Sequence, residues 1–205
     1  MIAIIDYGVG NLFSLKSSFA IIGQNAVVTS DKLVIDQADR IILPGVGAFE
    51  DAAKKLRSSG LDACVKEQVD KGKYMMGICL GMQLLFDKSY EYGEHEGLSL
   101  VPGEIQPISN VIDADLKIPH MGWNALSFKG DTHPIFKYIN EGNCVYFVHS
   151  YYACNCDDNV IATAEYSYPL TAAVAKDNVI GCQFHPEKSG DVGLNILKAF
   201  CELEK

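Results

Sequence analysis

The stretch Gly77-Ile78-Cys79-Leu80-Gly81 sets a cysteine between two glycines, directly after the apolar run YMMGI. This G-x-C-x-G spacing is the thiol counterpart of the G-x-S-x-G elbow. There a nucleophile stands on a strained strand-to-helix turn, and its glycines permit close backbone approach. A thiol at a helix N-terminus is favoured as thiolate by the unpaired N–H groups and the macrodipole. The backbone N–H of Leu80 is then aimed at an oxyanion formed beside the sulfur. A free cysteine can also be a small buried residue; the framing glycines and the strand-helix context favour the nucleophile.

A thiol nucleophile needs a base and a group that orients the base. Of the five histidines, His185 ends the apolar segment VIGCQF and is followed by Pro186 and Glu187. Proline excludes a helix interior, and in an extended segment positions i and i+2 point the same way. Glu187 can therefore hold one imidazole nitrogen while the other faces Cys79, the arrangement of a nucleophile–base–orienter triad. Alone, HPE also reads as a surface turn. A second oxyanion donor is offered by LPGVGAF, where Gly45 and Gly47 flank Val46 at the carboxyl edge of a predicted strand. Ligands of open α/β sheets bind at that edge, and glycines let backbone N–H groups turn toward a substrate oxygen. A phosphate cradle is the rival reading, but no G-x-x-x-x-G-K follows. DYGVGN after the first predicted strand is a similar, weaker glycine loop.

The elements that must carry these groups follow from periodicity. MIAIID, AVVTS, RIILPG and KYMMGIC read as short buried strands. Leu12, Leu15, Phe19 and Ile22 recur at helical spacing between the first two. Leu56, Leu61, Cys64, Val65 and Val69 suit one or two helices broken at SSG, and LGMQLLFDKS reads as a short helix after the elbow. Alternating strands and helices imply right-handed crossovers and a parallel sheet. The second half instead strings strands together: EIQPIS, KIPHMGWNALSF, CVYFVHSYYA, VIATAEY, then LTAAVA and VIGCQF around a KDN hairpin turn. These read as antiparallel additions to the sheet, closed by a final helix with Ile196, Leu197, Phe200 and Cys201 on one face. The expected fold is a three-layer α/β domain spanning residues 1–205, with a central, mostly parallel sheet.

Composition narrows the class. The 205 residues are 48% hydrophobic and 21% charged, with a formal net charge of −9. That balance is globular and argues against binding nucleic acid. No apolar stretch approaches the ~18 residues of a membrane span, and the N-terminus has no basic region before its short apolar run. Seven cysteines, an odd number scattered along the chain, suit reduced thiols in the cytoplasm. CNC at 154–156, near His149, matches no usual zinc spacing, and neither metal nor cofactor is expected.

Together, GICLGMQLLF, HPEKSG and PGVG resemble the class I, triad-type glutamine amidotransferase family, of flavodoxin-like fold. IDYGVGNL, GEHEGLSLVPG, PHMGWN and YFVHSYY are similar to the glutaminase subunits of imidazole glycerol phosphate synthases, in the same order from about residue 1 to 203. The resemblance implies that Cys79 attacks the side-chain amide of L-glutamine, His185 serves as base and then acid, and Glu187 orients it. It implies an oxyanion hole of Leu80 and Gly45–Val46–Gly47, and glutamine contacts from Gln83, Ser150 and Tyr151. It further implies a (β/α)8-barrel cyclase partner in a heterodimer, receiving ammonia to make imidazole glycerol phosphate and aminoimidazole carboxamide ribotide. The interface would include Asn11, His120, Met121, Trp123, Asn124 and Lys188. Trp123, the only tryptophan, suits an exposed interface anchor as well as a half-buried core position. GEHEG reads as a solvated loop. Other classes remain open: an amidotransferase subunit serving a different acceptor, a thiol hydrolase on the same elbow, or a binding module that retains the fold without catalysis.

Overall fold

A computed structural model describes residues 1–204. In chain order the elements are β1 (Ile2–Ile5), α1 (Leu12–Ile21), β2 (Ala26–Thr29), α2 (Lys32–Gln37), β3 (Arg40–Leu43), α3 (Phe49–Ser58) and α4 (Leu61–Asp70). There follow β4 (Tyr74–Ile78), α5 (Leu80–Gln83), β5 (Lys88–Ser89), β6 (His95–Glu96), β7 (Glu104–Pro107), β8 (His120–Ala125) and β9 (Ser127–Phe128). The chain ends with β10 (Cys144–His149), β11 (Tyr151–Cys154), β12 (Val160–Glu165), β13 (Pro169–Lys176), β14 (Val179–Cys182) and α6 (Gly190–Cys201).

The main sheet has eight strands in the order β2-β1-β3-β4-β14-β13-β12-β9. Its first five strands run parallel, and β13, β12 and β9 add antiparallel to them. Alternation along each central strand divides two cores between the sheet's faces. Ala3, Ile5, Ile41, Leu43 and Met75 pack with Ile35 of α2, Phe49 and Leu56 of α3 and Val65 of α4. Ile2, Ile4, Ile42, Met76 and Ile78 pack with Leu15 and Phe19 of α1 and Ile196, Leu197 and Phe200 of α6. Strands apolar on both faces are what a sheet covered by helices on both sides demands.

The expected α/β architecture is present, with two corrections. LGMQLLFDKS does not form a helix throughout: α5 stops at Gln83, and short turns (Leu85 N–H to Met82 C=O, Phe86 N–H to Gln83 C=O) carry the chain to β5. The second-half strands also do not all join the main sheet. CVYFVHSYYA breaks at Ser150, so β10 pairs with β8 while β11 joins a separate sheet in the order β11-β7-β5-β6. The KDN hairpin forms between β13 and β14, with Lys176 opposite Val179 and Asp177 at φ 53°.

Candidate active site

Cys79 leaves the end of β4 at φ 54° and ψ −112°, a conformation that L-residues rarely adopt, and caps α5. The neighbouring glycines are steric necessities. A Cβ on Gly81 would sit 1.9 Å from the carbonyl oxygen of Leu43, and one on Gly77 would sit 2.6 Å from the carbonyl oxygen of Gly81. The turn thus presses against the end of β3, where Gly45 in turn abuts it: a Cβ there would lie 2.8 Å from Gly81 N and 2.9 Å from the Tyr7 hydroxyl. That hydroxyl donates to the carbonyl of Pro44 at 2.7 Å, and burial pushes its pKa upward. DYGVGN, a weak signal in sequence, supplies the clamp on the PGVG loop.

β14 lies beside β4 in parallel, with Cys182 opposite Ile78, and Cys79 N–H donates to Cys182 C=O at 2.7 Å. Nucleophile and base therefore leave neighbouring strands at the same sheet edge. Imidazole Nδ1 of His185 bonds Glu187 Oε1 at 2.9 Å, and the two side chains are 2% and 1% exposed. The sequence reading expected an extended HPE; instead Pro186–Lys188 form a 3-10 turn that folds Glu187 back onto the ring. Ser189 locks this turn. Its Oγ donates to His185 C=O at 2.6 Å and accepts from Tyr146 N–H of β10 at 3.0 Å. Burial alone depresses an imidazolium. Here hydrogen bonds and charge from the Cys79 sulfur and the Glu187 carboxylate outweigh it and raise His185 to about 9.

Cys79 and His185 line one cavity of about 550 Å³, with Val46, Gly47, Leu80, Gln83, Ser150, Tyr151 and Lys188 among its walls. Both Gln83 amide hydrogens are engaged inward, with Tyr151 C=O at 3.3 Å and Gln183 Oε1 at 3.1 Å, leaving its carbonyl oxygen as an acceptor. Gly45 is buried behind the elbow.

Three participants were given no role in this cavity by the sequence. Glu91 is the one carboxylate on the described cavity wall; it accepts from Phe49 N–H at 2.5 Å, and burial raises its pKa. Gln183 donates to the Cys79 sulfur at 3.8 Å, and its i, i+2 spacing to His185 was the available signal. His149 reaches the cavity from the end of β10.

The expected interface stretch needs one correction. Pleating along β8 turns Met121 and Trp123 outward, 63% and 57% exposed, and turns His120 inward at 3%. His120 stacks on Phe147 (4.9 Å) and lies against Tyr166 (4.4 Å), so its ring is not offered to a partner. Asn124 is half-buried and donates to Glu165 C=O at 2.8 Å. Asn11 is half-buried at the start of α1, and Lys188 is exposed at the cavity rim, its ammonium 5.9 Å above the Tyr146 ring. Among the described residues, no three His, Cys, Asp or Glu side chains converge as metal ligands, and no helix is long and apolar enough to cross a membrane.

Residues 3–202 match the family model described as glutamine amidotransferase class-I. The chain is 50% identical to a protein of Caldanaerobacter subterraneus named imidazole glycerol phosphate synthase subunit HisH, covering 100% of this chain and 99% of that protein. Proteins of the same name from Syntrophotalea carbinolica and Sulfurimonas denitrificans are 46% and 48% identical, covering 99% and 98% of this chain and 100% and 97% of theirs. Among solved structures, one described as a glutamine amidotransferase superposes with a TM-score of 0.75 at 18% identity, covering 98% of this chain and 100% of that one. PurLQS from Thermotoga maritima gives a TM-score of 0.71 at 21% identity, covering 98% and 96%. These two likenesses speak for the fold.

Proposed function

Because the chain belongs to the class-I glutamine amidotransferase family, among the imidazole glycerol phosphate synthase subunits HisH, we propose that its cavity hydrolyses L-glutamine and that the ammonia passes to a docked partner. The observation that carries this reading is the buried His185–Glu187 pair beside the Cys79 sulfur in the wall of one cavity.

With the Cys79 proton already resting on His185, the sulfur adds to the glutamine side-chain carbonyl carbon, moving the carbonyl π pair onto oxygen. The Leu80 N–H, one of the unpaired donors that open a helix, and the Val46–Gly47 part of the PGVG loop, which Gly45 anchors behind the elbow, receive that oxyanion. His185, held as imidazolium by Glu187, returns its proton to the departing nitrogen, so ammonia leaves and a γ-glutamyl thioester remains. Water then gives a proton to His185 and its oxygen to the acyl carbon, releasing glutamate and restoring the sulfur beside the protonated imidazole. In the cavity, Glu91 faces the substrate α-ammonium, the Gln83 carbonyl accepts from substrate N–H groups, and Ser150 and Tyr151 hold the carboxylate end. No cofactor takes part.

The partner is a (β/α)8-barrel cyclase, joined as a heterodimer in the cytoplasm, which consumes ammonia to make imidazole glycerol phosphate and aminoimidazole carboxamide ribotide in histidine biosynthesis. Met121 and Trp123 anchor it, with Asn11 and Lys188 beside them. Mass spectrometry after treatment with a glutamine-mimicking diazoketone tests the chemistry. The expected adduct is on Cys79 and is prevented by glutamine; modification spread over several of the seven thiols would sink it.

A further inference from the structure

His120 and His149 face each other across the antiparallel pair β8–β10. The contacts around the two rings assign their nitrogens. A backbone carbonyl only accepts, so the 2.8 Å contact between His149 Nδ1 and Tyr151 C=O puts the proton on Nδ1. His149 Nε2 is then an acceptor, and its 2.9 Å contact with His120 Nδ1 makes that nitrogen a donor. His120 Nε2 must in turn accept, and Asn124 Nδ2 donates to it at 3.1 Å. The Asn124 orientation is fixed independently, because its Oδ1 accepts from Ala125 N–H at 2.8 Å. Burial pushes His120 to about 4 and His149 to about 3, so both rings are neutral at physiological pH, as these assignments require.

The file does not stop at Tyr151. The same carbonyl accepts from Gln83 Nε2 at 3.3 Å, Gln83 Nε2 also donates to Gln183 Oε1 at 3.1 Å, and Gln183 Nε2 donates to the Cys79 sulfur at 3.8 Å. Two residues of β8 thus point into this file while their neighbours Met121 and Trp123 point out.

We propose that His120, His149 and Gln183 are positioning residues, joining β8 to the nucleophile through one continuous file of hydrogen bonds. The inference rests on the glutaminase reading and extends it. A partner that settles on Met121 and Trp123 shifts β8, and the file transmits that shift to the Gln83 amide and the sulfur. Proximity alone does not establish such coupling; a change in partner response on breaking a link does.

The test has two parts. Nitrogen-15 NMR of the imidazole rings in the full chain is expected to show His120 and His149 both carrying the proton on Nδ1. A proton on Nε2 of either ring overturns the proposal, and this reading needs no variant. Glutaminase kinetics with and without the substrate-loaded cyclase then compare wild type with His120→Phe, which keeps an aromatic ring between Phe147 and Tyr166 but neither hydrogen bond. The expected result is at least a tenfold smaller rise in kcat on adding cyclase, with affinity for the cyclase within threefold of wild type. His149→Asn, which can still donate to the Tyr151 carbonyl, is expected to recover most of the kcat that His149→Leu loses. A wild-type kcat rise in His120→Phe, or equal losses in Asn and Leu tracking their loss of Tm, overturns the proposal. If wild type itself releases no ammonia from glutamine with the cyclase present, the glutaminase reading has failed and this inference falls with it.

Discussion

Glu187 contributes charge and aim, and the two can be separated. Glu187→Gln keeps the side chain's size and a hydrogen-bond partner for His185 but removes the carboxylate that helps raise the imidazole to about 9. Turnover of glutamine is expected to fall about a hundredfold or more, the scale of a lost general acid–base contribution. The pH at which His185 gives up its proton should also move downward, read from the pH dependence of Cys79 alkylation. Glu91 is expected to act on binding instead: Glu91→Gln raises KM for glutamine about tenfold, the worth of one charge-assisted contact, with a smaller change in kcat. Steady-state kinetics, with the proposed cyclase partner added, check it. Cys79, His185 and Glu187 were legible because their chemistry is written locally, in flanking glycines and in a short spacing from histidine to acid. Glu91 was not, because in EYGEHEG it is one charge among several. What holds it at the cavity is Phe49, 42 positions earlier, whose N–H donates to its carboxylate.

Elements fix the base through contacts the sequence conceals. α6 begins just past the 3-10 turn of Pro186–Lys188, and a Cβ on Gly193 would meet Pro186 C=O at 1.9 Å. Gly193→Ala should therefore displace the turn that carries Glu187. The expected outcome is a loss of stability of about 1–3 kcal/mol, the usual cost of overpacking. A fall in kcat larger than any rise in KM should accompany it; denaturant unfolding and kinetics read the two effects. The parallel strands and the helices between them were visible from buried runs and helical spacing. The break in CVYFVHSYYA was not, since nothing local says that β10 will seek β8 while β11 seeks β7. The same blindness placed His120 on the docking surface, because HMGWN shows alternation without showing which alternate face is covered. α5 stops early although LLF could continue a helix, because Leu84, Leu85 and Phe86 are claimed by the core on the α3 side.

At the scale of the molecule, four histidines set opposing pH slopes: burial lowers His120, His133 and His149, while His185 is raised. His120 and His149, about 4 and 3 when folded against 6.5 unfolded, contribute stability that is full above pH 6.5 and lost as pH falls toward those values. His185, raised to about 9, contributes stability that is full below pH 6.5 and lost as pH rises through 9. Each proton difference is worth about 1.4 kcal/mol per pH unit. Urea unfolding is expected to give a maximum from these groups near pH 6.5. In His120→Phe the acid slope should be shallower by up to about that amount, while the alkaline limb stays as in wild type.

Sulfur and imidazole depart from adjacent parallel strands held in register from Met75 opposite Val179 to Ile78 opposite Cys182. The strands they leave lie side by side at the ordinary spacing of a sheet, about 4.8 Å. Much of the walls and rim that greet a substrate or a neighbour belongs to residues 90–151. A lineage, or an engineer, could rewrite the exposed part of that stretch to serve a new recipient of ammonia, provided the inward contacts of β8 and β10 that reach the sulfur and the base are kept.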